Sequence, residues 1–108
     1  MPIDAHLVPI LRAATARIVP TDDLPGAAEL HAAEFILGFP EYADAYNAGL
    51  AKLPADFDLS TPDAQDSALS HLSSIDPQFF DLLRRQTIEA VLAQPSALWD
   101  AMGFVVTA

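Results

Sequence analysis

Proline sets the limits on how this chain can fold. Pro20, Pro54, Pro62, Pro77 and Pro95 interrupt stretches whose apolar residues otherwise recur at helical spacing. A proline inside a helix removes a backbone donor and clashes with the preceding turn, so helices end before it or start at it. The chain is thereby divided into short helices. No segment alternates with period two for long enough to be a strand.

The first helix is expected from about Asp4 to Val19, with Leu7, Ile10, Leu11, Ala14 and Ile18 as its apolar stripe and Pro9 marking a first turn. Pro20 ends it, and Thr21, Asp22, Asp23, Leu24, Pro25 and Gly26 form a specified loop. A second helix is expected from about Ala27 to Leu37, with Leu30, Ala33, Ile36 and Leu37 inward and Gly38 as its C-cap. A third, Glu41 to Leu53, carries Tyr42, Tyr46, Leu50 and Leu53 and stops at Pro54. The loop 54–60 is expected to tuck Phe57 and Leu59 inward. Thr61-Pro62 and Asp76-Pro77 each read as N-cap followed by first helical residue. The first of these helices reaches about Leu72. The second reaches about Ala93, with Phe80, Leu83, Thr87 and Val91 on one side and Phe79 and Ile88 adjacent. A short last helix carries Leu98, Trp99 and Met102 before Gly103. The expected fold is all-α: one small domain, residues 1–108, of five to six short helices in an irregular bundle.

The chain has 108 residues, 15 acidic against five basic, for a net charge of −10. Such a surface repels nucleic acid and anionic lipid. There is no cysteine, which removes disulfides, thiolate metal sites and covalent haem attachment. No apolar run approaches the ~20 residues of a membrane span. Yet 52% of the residues are hydrophobic and mean hydropathy is +0.26. This excess reads either as an alanine-rich bundle or as a face that meets a partner.

Reactive chemistry has little support. Gly26, Gly38, Gly49 and Gly103 are isolated and build no phosphate loop. His31 and Glu34, three apart, make only half of the carboxylate–histidine arrangement that a bundle needs for a metal. Asp22 and Asp23 read as braces for the loop, with Arg17 as a bridging partner, rather than as converging acid and base. Trp99, Met102 and Phe104 are open to two readings, core anchors of the last helix or exposed anchors for a partner. No catalytic, cofactor-binding or metal-binding residue is expected.

The order Ile18-Val19-Pro20-Thr21-Asp22-Asp23-Leu24-Pro25-Gly26-Ala27, after an amphipathic helix, resembles the N-terminal signature of the gluconate 2-dehydrogenase subunit 3 family. Phe79-Phe80 through Leu83 to Thr87 resembles its Phe-Phe-x-x-Leu-x-x-x-Thr helix, and Gln94-Pro95 through Trp99 to Gly103-Phe104 its closing segment. Glu89-Ala90-Val91 stands where that family often has glycine and aromatic residues. The resemblance implies a non-catalytic small subunit. Its partner would be a large FAD-dependent dehydrogenase of the glucose–methanol–choline type acting on sugars, glycosides, polyols or aldonates, with a cytochrome subunit often taking the electrons. FAD is expected in the partner and no cofactor in this chain. The small subunit would help its partner fold and, in many cases, be exported. The sequence as given carries no twin-arginine leader (Arg84-Arg85 lies within a helix), so a cytoplasmic location is expected, or a periplasmic one if the chain is exported with its partner. The interface is expected at Pro20, Thr21, Asp22, Asp23, Leu24 and Pro25, together with Trp99, Met102 and Phe104. The competing readings are a generic helical adaptor and a stand-alone helical enzyme using Asp22, Asp23 and His31.

Overall fold

The computed structural model describes residues 2–20, Gly26 and residues 31–93. Within them every regular element is helical: α1 (Val8–Ile18), α2 (Ala32–Leu37), α3 (Ala43–Leu50), α4 (Pro62–Ile75) and α5 (Pro77–Leu92). Three 3-10 turns, Ala5–Leu7, Pro40–Tyr42 and Phe57–Leu59, lead into α1 and α3 and interrupt the connection between α3 and α4. The all-α expectation holds. Among the described residues no helix is long and apolar enough to cross a membrane.

Helices α1 and α5 are the central pair. Each touches α2 and α4 as well as the other, and α3 lies against α5. Their inward side chains fuse into one core that includes Leu11, Ile36, Tyr46, Phe57, Leu72 and Leu83. Burial of this apolar surface supplies the main driving force for helices too short to be stable alone.

The cap signals work as read. Thr61 Oγ1 accepts from the Ala64 N–H at 3.2 Å, with Pro62 opening α4. Asp76 serves both neighbouring helices. Its N–H donates to the Leu72 carbonyl at 2.8 Å, closing α4, and its Oδ1 accepts from the Phe79 N–H at 3.2 Å, opening α5. Lys52, just past α3, donates to the other carboxylate oxygen, so one residue, through its backbone and its side chain, links α4, α5 and the end of α3. Helix α4 continues to Ile75, beyond the expected Leu72, because nothing before Asp76-Pro77 stops it.

Other expectations are corrected. Chain 5–18 is not one α-helix: Pro9 sits in the first turn of α1, and the preceding turn is 3-10. The second helix does not run unbroken to Leu37. His31 adopts left-handed φ 55°, ψ 44°, which a continuous right-handed helix cannot contain, and α2 starts after it. Leu30 and the rest of 27–30 lie outside the described residues. Gly38 caps α2 with right-handed φ −74°, so its freedom to go left-handed is not used. Helix α3 ends at Leu50, before Pro54 is reached. Leu59, expected inward, is exposed, and so are Tyr42 of the third segment's apolar series and Ile88 beside the apolar side of α5.

A buried polar contact fixes α3 against α5. The Tyr46 hydroxyl donates to Gln86 Oε1 at 2.6 Å inside the core, and burial pushes the phenol well above its ordinary range. Its ring meets that of Phe79 edge-on, with centroids 5.4 Å apart.

Candidate functional site

The expected interface residues form two groups in sequence. Pro20 is described and is exposed. Thr21, Asp22, Asp23, Leu24 and Pro25 lie outside the described residues, as do Trp99, Met102 and Phe104. Gly26, within the first group's loop, is buried.

The residues that flank both groups come together. Val19 immediately precedes Pro20, Ala32 and Phe35 follow the loop, and Ala90 and Val91 precede the last segment. These five form a small apolar cluster apart from the main core, with Ala32 and Ala90 fully buried. The described flanks of two stretches far apart in sequence therefore share one corner of the bundle. Val19 turns out of helical geometry there, at φ −128° and ψ 83°. His31 leads the chain into α2, its carbonyl accepting from the Phe35 N–H at 3.1 Å. A left-handed residue other than glycine costs about 1–2 kcal/mol, so this entry angle is held by the packing that follows.

Beside the corner runs an open groove of about 440 Å³ between the end of α1, α4 and α5. Its apolar lining is Ile18, Val19, Leu69, Phe80 and Ile88, and Arg17, Asp66, Ser70, Ser73 and Arg84 supply the polar lining. Arg17 does not need the loop acids for its charge. Its guanidinium forks onto Asp66, Nε to Oδ1 and Nη2 to Oδ2, both at 2.9 Å. That partner is 49 residues away and lies on a different helix, so no local pattern announces it.

The fork holds the Asp66 carboxyl below its ordinary range, and the Lys52 ammonium with the Phe79 N–H does the same for Asp76. A carboxyl with a depressed folded pKa adds stability above its unfolded value, about 3.9 for Asp, and that stability is lost as pH falls through the folded value. Urea midpoints are therefore expected to drop as pH is lowered below about 4. The Asp66→Asn/Asp76→Asn chain is expected to show a shallower drop than the parent; an equally steep one would assign the acid sensitivity to other carboxyls.

His31 and Glu34 do not develop into a metal site. His31 Nδ1 is 3.9 Å from Glu34 Oε2, and Glu34 Oε1 is taken by Arg12 Nε at 2.9 Å. Among the described residues, no three His, Cys, Asp or Glu side chains are grouped to hold a metal ion.

Sequence reasoning missed the outward side of α5, where Ile88 and Leu92 are 37% and 64% exposed. The signal was present. Ile88 is five positions from buried Leu83, and Leu92 is nine, which places both opposite the core at 100° per residue.

A family model described as gluconate 2-dehydrogenase subunit 3 matches residues 5–107, nearly the whole chain, and the chain belongs to that family. Comparisons with curated proteins and with solved structures returned no match.

Proposed function

We propose that this family member is the non-catalytic small subunit of a flavoprotein dehydrogenase complex. It binds and stabilises a large FAD-dependent subunit of the glucose–methanol–choline type, which oxidises sugars, glycosides, polyols or aldonates. FAD belongs to the large subunit, and a cytochrome subunit takes the electrons onward. The family match carries this reading, and the cluster of Val19, Ala32, Phe35, Ala90 and Val91, which flank the two motif-bearing stretches in sequence, supports it. The titratable groups beside this cluster, Arg17 and Asp66, are engaged in an ion pair within the fold, which suits a recognition surface better than a reactive centre.

Stabilisation then needs no chemistry from this chain. A subunit that binds only the folded partner adds about 2.7 kcal/mol to its stability at a concentration one hundred times the dissociation constant.

Co-expression with a large flavoprotein dehydrogenase subunit from the same source is expected to give a complex with the visible absorption of bound flavin. Expressed alone, this chain is expected to be colourless and inactive on sugars. A large subunit that folds, retains flavin and turns over equally well without this chain would remove the proposed role.

A further inference from the structure

Asparagine is a weak helix former, because its side-chain amide competes for backbone groups close by. The chain has one, Asn47, and it stands inside α3. Its amide is committed to a distant stretch of backbone. Oδ1 accepts from the Asp4 N–H at 2.7 Å, and Nδ2 donates to the Pro2 carbonyl at 3.2 Å. A single side chain therefore holds the peptide groups on both sides of Ile3, as the backbone of an adjoining strand would. The chain is extended here, with Asp4 at φ −58° and ψ 137°. Pro2 and Asp4 are exposed while Ile3 is buried in the main core, the alternation that extended backbone imposes. The Asp4 carbonyl then accepts from the Leu7 N–H at 2.9 Å, where the first 3-10 turn begins.

We propose that residues 2–4 form a strap that opens and closes as a unit while the bundle stays folded, and that Asn47 is its latch. Asparagine suits this place because it carries an acceptor and two donors on one planar group. Aspartate could only accept, and an aliphatic side chain could do neither. The two fastenings are coupled by geometry. The bonded groups flank Ile3 directly, so they swing out with it when it leaves the core. When the amide lets go, the backbone that aims Ile3 inward is no longer fixed. The rest of the bundle is held differently. Helices α1 and α5 pack against each other and against α2 and α4 along their lengths. A segment fastened by one apolar side chain and two solvent-accessible hydrogen bonds opens more readily than such a core. Opening uncovers the apolar site that Ile3 fills and frees the Asn47 amide beside it. That site fits an extended segment with one aliphatic side chain between two peptide groups, and residues 2–4 are its occupant.

The test is amide hydrogen exchange on the full chain, followed residue by residue at one pH and at several low urea concentrations. The parent Asp4 amide is expected to be protected, to exchange faster than the Leu83 amide inside α5, and to respond little to urea, because strap opening exposes little surface. Asp4 and Leu83 rates that coincide at every urea concentration would mean that residues 2–4 are released only by global unfolding, and they overturn the strap. Asn47→Ala is expected to speed Asp4 exchange about tenfold or more, with its urea response still shallow. If helical circular dichroism shows that this variant is unfolded, Asn47→Leu keeps the shape, removes both bonds and should act in the same direction. A parental Asp4 rate in a folded variant of Asn47 overturns the latch. Ile3→Ala touches neither bond, yet it is expected to speed Asp4 exchange too, because the fastenings release together. An unchanged rate there would reduce the strap to two isolated hydrogen bonds and overturn the unit.

Discussion

Gly49→Val is expected to lower the unfolding free energy by about 3 kcal/mol, near the upper end of what overpacking costs. Helix α3 lies so close to α5 at this point that a Cβ on residue 49 would sit far inside van der Waals contact with Cγ, Cδ1 and Cδ2 of Phe79. The overlap is with the root of the ring. A side chain can swing its tip aside cheaply, but moving Cγ takes a new χ1, which carries the whole ring out of its packed position, or a shift of the helix. The Phe79 ring is also held by Tyr46, with their centroids 5.4 Å apart and planes at 83°. Valine is a better helix former than glycine by only a few tenths of a kcal/mol, too little to offset the clash. A domain of this size has about 5–15 kcal/mol in total, so the loss would be a large share of it. The urea midpoint should fall with the slope unchanged. Combining Gly49→Val with Phe79→Ala should cost less than the sum of the two single changes, because the second makes room for the first. Strict additivity would show that the α3–α5 approach is looser than described.

That close approach also shows where sequence reading stops. Gly49 looks like any glycine in a helix, and its reason is a ring 30 positions away on another element. Local chemistry, by contrast, was legible. Thr61-Pro62 and Asp76-Pro77 announce helix starts because an N-cap acts within three residues of itself. Inward positions such as Leu11, Tyr46, Leu69 and Leu83 follow from helical spacing alone. Arg17 was assigned to the nearby loop acids because sequence offers only near neighbours, while the fold offers Asp66. His31 was read as mid-helix because nothing in its identity signals a left-handed backbone, which only the packing of α2 on α5 imposes. The candidate site divides in the same way. The motif stretches could be read from residue order, but that their described flanks share one corner depends on α1, α2 and α5 meeting there. The outward side of α5 was recoverable from angular position and was overlooked because Ile88 was grouped with the core beside it.

Phe57→Ala is expected to cost about 3–5 kcal/mol, and Leu59→Ser to leave stability within about 0.5 kcal/mol of the parent. Both residues lie in the same turn, and the sequence suggests that both point inward. That would follow if the loop were extended, because alternate residues of an extended chain share a side. The turn is instead 3-10, closed by the Leu59 N–H on the Asp56 carbonyl at 2.9 Å and the Ser60 N–H on the Phe57 carbonyl at 3.2 Å. At three residues per turn, residues two apart are about 120° apart around the axis. Only one of them can then face the core. It is Phe57, fully buried, while Leu59 is 84% exposed. The turn packs on α1, and Gln65 Nε2 anchors it from α4 by donating to the Phe57 carbonyl at 2.8 Å. With its backbone tied in this way, the loop cannot collapse into the space that a deleted phenyl ring leaves, so the full cavity cost should be felt. For a domain of about this length each kcal/mol moves Tm by roughly 4–8 °C, so thermal unfolding followed by helical circular dichroism separates the two variants easily. Equal losses at the two positions would mean that the loop is extended after all and that its contact with α1 is made by both side chains.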